Sequence, residues 1–174
     1  PVARFKTEAP YCIGQDIRFV DESTSSSGAI AKWTWDFGDG SPQVIKTTNE
    51  VVTHRYTTAG NYLVKLIVET SSGCKSETFQ GQVLISPNPV AAFEFGNACL
   101  PDAKMQFTNK SSIATGDENL FTYQWTFGDG GMADVKNPEH TFITKGPFEV
   151  KLVVQSFDGC KGEVIQTVNT IYGQ

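Results

Sequence analysis

The stretch Trp33-Thr34-Trp35-Asp36-Phe37-Gly38-Asp39-Gly40 decides the fold, and it returns later as Tyr123-Gln124-Trp125-Thr126-Phe127-Gly128-Asp129-Gly130. In each stretch aromatic residues alternate with polar ones, which is typical of a strand with one buried face, because successive side chains point to opposite sides. The Gly-Asp-Gly that follows predicts a tight turn, since glycine reaches positive φ without cost and aspartate accepts bonds from nearby N–H groups. The structural turn motif therefore comprises Trp35, Phe37, Gly38, Asp39 and Gly40 in the first stretch, and Trp125, Phe127, Gly128, Asp129 and Gly130 in the second.

The similarity of these two stretches extends along the whole chain as an internal repeat. Phe5 corresponds to Phe93, and the later Gly-Cys pair at Cys74 corresponds to the one at Cys160. Matching positions over the full length indicate two copies of one domain rather than a solenoid of short units. We assign the first domain to residues 1–86, a short proline-containing linker to 87–89 and the second domain to 90–174. About seven short strands per copy, separated by frequent turn signals, predict an all-β chain of two tandem Ig-like β-sandwiches.

Composition narrows the classes of function. The chain has 174 residues, a formal net charge of −5 and a pI near 5.0, so it does not favour nucleic acid or an anionic membrane as a partner. It has no apolar run of the roughly 20 residues that a spanning helix needs, which argues against membrane insertion. Because Pro1-Val2-Ala3 opens without the pattern of a signal peptide, we expect a mature or excised piece of a longer protein.

Four cysteines, Cys12, Cys74, Cys99 and Cys160, occupy two equivalent positions in each copy. Four cysteines allow three pairings, and two independently folding copies favour Cys12 with Cys74 and Cys99 with Cys160. Such bridges would indicate an oxidising compartment, so we expect an extracellular, secreted or cell-surface location. The alternative is four buried free thiols in a cytosolic protein. Zinc is disfavoured, because no two cysteines are close in sequence and each copy has one histidine.

The two copies resemble the PKD (polycystic kidney disease) domain, an Ig-like β-sandwich. The residues that carry the resemblance are the turn motifs quoted above, followed in the first copy by His54, Tyr56, Gly60, Tyr62, Val64, Leu66 and Val68, and in the second copy by His140, Phe142, Gly146, Phe148, Val150, Leu152 and Val154. The second copy departs at Thr126, where the family usually has aspartate, so a shared function for Asp36 is not expected. The added cysteines resemble a variant in secreted and surface proteins of Bacteroidetes-type bacteria. The resemblance implies a non-catalytic extracellular module that acts as a spacer or as a contact surface for proteins or polysaccharides.

The residues that could carry catalysis have structural interpretations. Asp39 and Asp129 are expected to close their turns by accepting backbone N–H bonds, since a catalytic carboxylate pair would need a second acid across a cleft. His54 and His140 are expected to form structural hydrogen bonds, because neither has an evident nucleophile or orienting acid beside it. We therefore predict that the chain is not an enzyme.

Two kinds of ligand remain as alternatives. Calcium is a prediction without a defined ligand set; the scattered acidic candidates are Asp16, Asp21, Glu22, Asp102, Asp117 and Glu118. A carbohydrate would need exposed aromatic side chains, for which the candidates are Tyr11, Phe121, Phe157 and Tyr172. The sequence thus predicts a spacer and protein-interaction module of a secreted or cell-surface protein, in an adhesin, fibre or surface assembly. Its expected partners are other domains of the parent protein or neighbouring surface proteins. The alternative is a carbohydrate-binding accessory module of a secreted hydrolase.

Overall fold

The computed structural model describes the chain except for residues 97, 98, 101, 102, 116, 170, 173 and 174, and it describes only the backbone of 99, 100, 103, 171 and 172. The chain forms two compact units, Pro1–Ser86 (unit 1) and Pro87–Gln174 (unit 2). The residues predicted as a linker, 87–89, belong to unit 2. There the carbonyl of Pro89 approaches the backbone of Gly162 so closely that no side chain would fit between them.

Unit 1 consists of two antiparallel sheets packed around one core. The strands are β1 (Phe5–Glu8), β2 (Asp16–Asp21), β3 (Ile30–Asp36), β4 (Val44–Lys46), β5 (Val52–Arg55), β6 (Gly60–Thr70) and β7 (Phe79–Ile85). One sheet has the order β1-β2-β5 and the other the order β4-β3-β6-β7. Inward side chains of both sheets meet around Phe19 and Trp35, which are both fully buried.

The alternation in the sequence determines which face of each strand is buried. On β6 the side chains of Val64, Leu66 and Val68 are fully buried, while Lys65 between them reaches solvent. Residues 41–53 have β propensity but no clear face in the sequence. The structure gives the reason, because this segment crosses between the sheets and supplies β4 to one and β5 to the other.

Unit 2 repeats this plan with two sheets and a short additional pair of strands. Its strands are β8 (Phe93–Phe95), β9 (Cys99–Leu100), β10 (Ala103–Asn109), β11 (Thr122–Thr126), β12 (Met132–Ala133), β13 (Glu139–Phe142), β14 (Phe148–Gln155), β15 (Lys161–Val168) and β16 (Ile171–Tyr172). The sheets have the orders β13-β10-β8 and β12-β11-β14-β15, and β9 pairs with β16 in parallel. The core surrounds Phe107 and Trp125. The predicted all-β architecture of two Ig-like sandwiches is confirmed.

Helical structure is scarce in the described residues. A single 3-10 turn covers Glu118–Leu120, in the long loop before β11. Within the part of the chain that is described, no helix has both the length and the apolar character needed to cross a bilayer.

Candidate functional site

The turn after β3 brings Asp39 and His54 together beside the core of unit 1. One carboxylate oxygen of Asp39 accepts hydrogen bonds from the backbone N–H of Ser41 at 3.0 Å and from the Ser41 hydroxyl at 2.6 Å. The other oxygen lies 2.7 Å from Nε2 of His54. The His54 ring in turn stacks on Phe37, with ring centroids 4.0 Å apart. Asp39 therefore joins the turn to β5 through the histidine.

Unit 2 builds the same cluster from the equivalent residues. Asp129 accepts from the backbone N–H of Gly131 at 3.0 Å and lies 2.8 Å from Nε2 of His140. The His140 ring stacks on Phe127 at 4.0 Å between centroids. Asp39 and Asp129 thus each accept a backbone N–H bond within their own turn, as the sequence analysis predicts.

Both carboxyl groups remain ionised well into the acidic range. Burial of Asp39 raises its pKa, but the hydrogen bonds from Ser41 and His54 together outweigh burial and lower the pKa to about 2. Burial likewise raises the pKa of Asp129, and its bonds from His140 and Gly131 lower that pKa below its ordinary value. Each aspartate is therefore an anionic hydrogen-bond acceptor at neutral pH.

The geometry of Asp39, His54 and Ser41 differs from that of a catalytic triad. In a triad the histidine bonds to the nucleophilic hydroxyl and takes its proton. Here the Ser41 hydroxyl donates to the carboxylate, and His54 bonds to the other oxygen of the same carboxylate. Unit 2 has Gly131 at the position of Ser41, so the repeated cluster lacks the hydroxyl. The feature common to both units is the Asp–His hydrogen bond that joins the turn to the strand.

Tyr56 adds a further hydrogen bond in unit 1. Its hydroxyl donates to the carbonyl of Phe37 at 3.0 Å inside the core, and burial raises the pKa of this phenol. Phe142 occupies the equivalent position in unit 2 and packs at a steep angle against Phe127 instead. The sequence shows that Phe142 replaces Tyr56 in unit 2. It does not show that the carbonyl of Phe37 accepts the hydrogen bond from Tyr56.

A shallow groove of about 310 Å³ lies on unit 2, between the loop before β11 and the β14–β15 turn. We call it the Phe157 groove. Its apolar wall consists of Ile113, Leu120 and Phe157, and two aspartates, Asp117 and Asp158, lie at its side. The Phe157 side chain is 81% exposed, although it is a large aromatic group. Aromatic faces of this kind contribute binding energy when another molecule covers them.

Of the aromatic candidates from the sequence, only Phe157 is an exposed platform among the described side chains. Phe121 is buried in the core of unit 2. Tyr11 is half-buried, and its hydroxyl lies 3.0 Å from that of Thr7. The Tyr172 side chain lies outside the described residues. The sequence did not predict Leu120 or Ile113 as neighbours of Phe157, because they come from a loop whose path only the structure gives.

Three of the acidic calcium candidates, Asp16, Asp21 and Glu22, bond to other groups of unit 1. Asp16 forms a double hydrogen bond with Arg55 at 2.9 and 3.0 Å, and Glu22 pairs with Lys6 at 3.0 Å. Asp21 accepts from the backbone N–H of Ser23. Asp117 and Glu118 lie in the loop before β11, and Asp102 lies outside the described residues. Where the chain is described, no three acidic, histidine or cysteine side chains are close enough to hold a metal ion. Calcium binding stays a prediction without a ligand set.

The cysteines do not follow the pairing expected from the repeat. Cys74 is exposed and carries a free thiol, whereas Cys12 and Cys160 are each disulfide-bonded. The predicted Cys12–Cys74 bridge is therefore wrong. The physical reason is distance: Cys12 pairs with Ser86 after the end of β7, while Cys74 precedes the start of β7. From Phe79 to Ser86 the chain rises about 23 Å at about 3.3 Å per residue. A disulfide needs Cα atoms within about 7 Å.

The other predicted pairing joins Cys99 with Cys160. The side chain of Cys99 lies outside the described residues.

The comparisons with known proteins agree with this geometry. A family model described as the PKD domain matches residues 1–84 and again residues 86–171. The chain belongs to the PKD domain family. The two matches correspond to the two sandwiches, so each unit is one PKD domain.

The relatives are much longer than this chain. The pre-pro-metalloprotease PrtV of Vibrio cholerae is 28% identical over 167 residues, which cover 91% of this chain and 16% of PrtV. The collagenase ColA of Clostridium perfringens is 35% identical over 74 residues, which cover 42% of this chain and 6% of ColA. The crystal structure of the PKD1 domain from PrtV matches with a TM-score of 0.43 at 28% identity, covering 48% of this chain and 98% of that domain. The chain thus spans a small fraction of the curated relatives that it matches.

Proposed function

We propose that this tandem of PKD domains is a non-catalytic structural and interaction segment of a larger exported protein. The observation that carries the proposal is the pair of family matches over almost the whole chain, which is a minor part of each relative. Support comes from the disulfide-bonded Cys12 and Cys160, because such bonds persist in oxidising compartments outside the cytosol. A further support is that the repeated Asp–His pairs serve the turns.

The two-sheet architecture suits a segment that carries load. In unit 1 the first strand, β1, belongs to one sheet and the last strand, β7, to the other. Tension between the ends of the unit must therefore pull one sheet past the other across the shared core around Trp35. In unit 2 β8 and β15 likewise belong to different sheets, and the two-residue strand β16 follows β15. Each unit should resist extension until its core separates.

Single-molecule force spectroscopy on the full chain tests this function. With a reductant present, we expect two separate unfolding events, each adding about 300 Å of contour length, since extended residues span up to about 3.5 Å. Without the reductant, we expect a shorter extension, because Cys12 and Cys160 are disulfide-bonded and a cross-linked segment cannot be pulled out. Gradual extension without resolved force peaks, in the presence of reductant, would contradict a load-bearing role.

Carbohydrate contact is the second candidate function, and the Phe157 groove is the observation that favours it. An exposed ring beside carboxylates is able to stack on a sugar face and to accept bonds from its hydroxyl groups. Unit 1 has Ser71 at the position of Phe157, so the groove is specific to unit 2.

Retention on insoluble polysaccharides tests the second candidate. If the groove binds sugar, Phe157→Ser should weaken retention on the polysaccharide that holds the unaltered chain by about two- to twelvefold, because an aromatic contact contributes about 0.5–1.5 kcal/mol. The matched control is Leu84→Ser, which removes another exposed apolar side chain, from unit 1. Equal retention of the unaltered chain and the Phe157 variant would exclude the groove as a sugar site.

A further inference from the structure

The last strand of unit 1, β7, forms one edge of its sheet and pairs along its length with β6 alone. Directly after the strand, the N–H of Ser86 donates to the carbonyl of Tyr11 at 2.8 Å, on the side away from β6. Because alternate residues of a strand direct their backbone groups to the same side, Gln80, Gln82 and Leu84 also present their N–H and C=O groups outward. Within the described part of the chain, no other segment bonds to these outward groups.

The corresponding edge of unit 2 is protected in two ways that β7 lacks. The side chain of Gln166 on β15 donates to the carbonyl of Phe93 at 2.8 Å and so joins the edge strand to β8. Gly81 holds the same register position on β7 and has no side chain to form such a bond. β15 also carries Lys161 and Glu163, whereas β7 reads Phe-Gln-Gly-Gln-Val-Leu-Ile and has no charged residue. Charged side chains protect a sheet edge from pairing with another strand, so β7 is the less protected edge.

Two cavities lie along this edge, between the β7 side and the β1 side of the sandwich. One, of about 300 Å³, is lined by Phe79 and by residues 1–4, and the other, of about 230 Å³, is lined by Val83 and the threonine of β1. Between them the Phe5 ring lies under Gly81, where a Cβ would be only 2.8 Å from it. We call the two cavities and the outward backbone of β7 the β7 groove. Along it, positions with space, without space and again with space follow one another at every second residue.

We propose that the β7 groove binds an extended peptide segment of a partner protein, which adds to the sheet as a further strand. The main chain of the segment pairs with the outward backbone groups of Gln80, Gln82 and Leu84, and its alternate side chains face the cavities. One apolar side chain fills the cavity beside Phe79 and another, four residues along, fills the cavity beside Val83, since four strand residues span about 13 Å. The middle position takes glycine, so the segment has the pattern apolar-x-Gly-x-apolar. This partner class deepens the interaction role proposed above and rests on it.

Binding of a synthetic peptide to the intact chain tests the pattern. The probe is acetyl-Lys-Val-Thr-Gly-Thr-Val-Lys-amide, and the control peptide exchanges each valine with its neighbouring threonine, so that the valines are two residues apart instead of four. We expect the probe to slow hydrogen exchange at the amides of Gln80, Gln82 and Leu84. We also expect it to bind about tenfold more tightly than the control, which buries one valine fewer. Absence of probe binding, or equal binding of the two peptides, would overturn the proposal.

N-methylated probes test the main-chain pairing. One version carries N-methyl groups on both threonines, and the other carries them on the glycine and the second valine. In a paired strand only one of these alternate sets directs its N–H groups to β7. That version should bind at least about fivefold more weakly and the other should bind like the probe, and the affected set reports whether the added strand is antiparallel or parallel. Equal effects of the two versions would show that the peptide does not bind as a strand.

A substitution in β7 tests the same pairing from the side of the protein. Gln82→Pro removes one outward N–H and leaves the bonds to β6 in place, because proline is tolerated where the N–H of an edge strand faces solvent. The matched control, Gln82→Ala, removes the side chain and keeps the N–H. We expect the proline variant to bind the probe at least about fivefold more weakly than the alanine variant, with unchanged exchange protection of β6 in both. Equal binding by two folded variants would contradict strand addition. The force measurement uses no peptide, so the load-bearing role and strand addition fail separately.

Discussion

Asp39 illustrates how a single residue joins a local turn to the opposite sheet of its unit. Sequence reasoning assigned this aspartate to the turn from its place between Gly38 and Gly40. It did not predict that the second carboxylate oxygen reaches His54 on β5, 15 positions along the chain. That bond depends on the opposition of two sheets, which a local pattern does not encode.

The depressed pKa of Asp39 predicts a dependence of stability on pH. A carboxyl group with a pKa of about 2 when folded and roughly 3.9 when unfolded stabilises the fold fully above the unfolded value. Its contribution, about 2.6 kcal/mol at neutral pH, is lost as the pH falls from about 4 through 2. We expect Asp39→Asn to lower the free energy of unfolding of unit 1 by this amount at pH 7, and the two proteins to converge near pH 2.

Denaturant unfolding monitored by hydrogen exchange on peptides of β3 measures this difference for unit 1 alone. The control is Glu77→Gln, which removes an exposed acid of the same unit. The free energy of unfolding of this variant should change with pH in parallel with that of the unaltered chain. If the difference in free energy of unfolding between Asp39→Asn and the unaltered chain stays constant down to pH 2, the difference does not come from the ionised Asp39 carboxylate.

At the scale of elements, the β3 turn is fixed by its approach to β6. Gly38 has a φ of +74°, as the Gly-Asp-Gly pattern predicts for a tight turn. The structure adds a second constraint, because a Cβ at this position would lie 2.5 Å from the carbonyl oxygen of Leu63. Gly128 meets the backbone of Glu149 in the same way at 2.7 Å. Both glycines therefore permit close contact between the turn and the neighbouring strand.

The second constraint separates two glycines that look alike in sequence. Gly40 also has a positive φ, +83°, but a Cβ there would meet nothing within 4 Å. We expect Gly40→Ala to cost only the backbone strain, about 1–2 kcal/mol. Gly38→Ala should cost more, about 3 kcal/mol or above, because the Leu63 backbone must also shift. Thermal unfolding monitored on unit 1 peptides measures the loss of stability in both variants. Equal losses would show that the close approach of Gly38 to the Leu63 backbone adds no cost of its own.

The elements that the sequence predicted best are those whose alternation is strong. β7 covers the alternating segment Phe79–Ile85, and β6 buries the apolar side chains of Val64, Leu66 and Val68 on one face. Phe121 was a misleading case, because a large aromatic next to a polar loop was expected to be exposed and lies in the core. Its burial is set by the path of the loop before β11.

At the scale of the whole molecule, the internal repeat gave the fold correctly and the cysteine chemistry incorrectly. Equivalent positions in two copies establish that Cys74 and Cys160 occupy one turn. They carry no information on the distance from that turn to Cys12, which is set by the length of β7 running between them. Disulfide pairing within each copy follows reasonably from the duplication. In unit 1, however, the length of β7 excludes this pairing.

The redox state of the whole chain provides a direct prediction. Alkylation before reduction should modify Cys74 and leave Cys12 and Cys160 unmodified, because the first is a free exposed thiol and the others are disulfide-bonded. After reduction Cys12 and Cys160 should react too, and the melting temperature should fall, since losing a native disulfide typically costs about 2–5 kcal/mol. Mass spectrometry of peptides identifies each site, and Cys74→Ser provides a control in which the fall in melting temperature should persist. Alkylation of Cys12 and Cys160 in the unreduced protein would show that they are not disulfide-bonded. The inference of an oxidising compartment, which supports an exported module, would then fail.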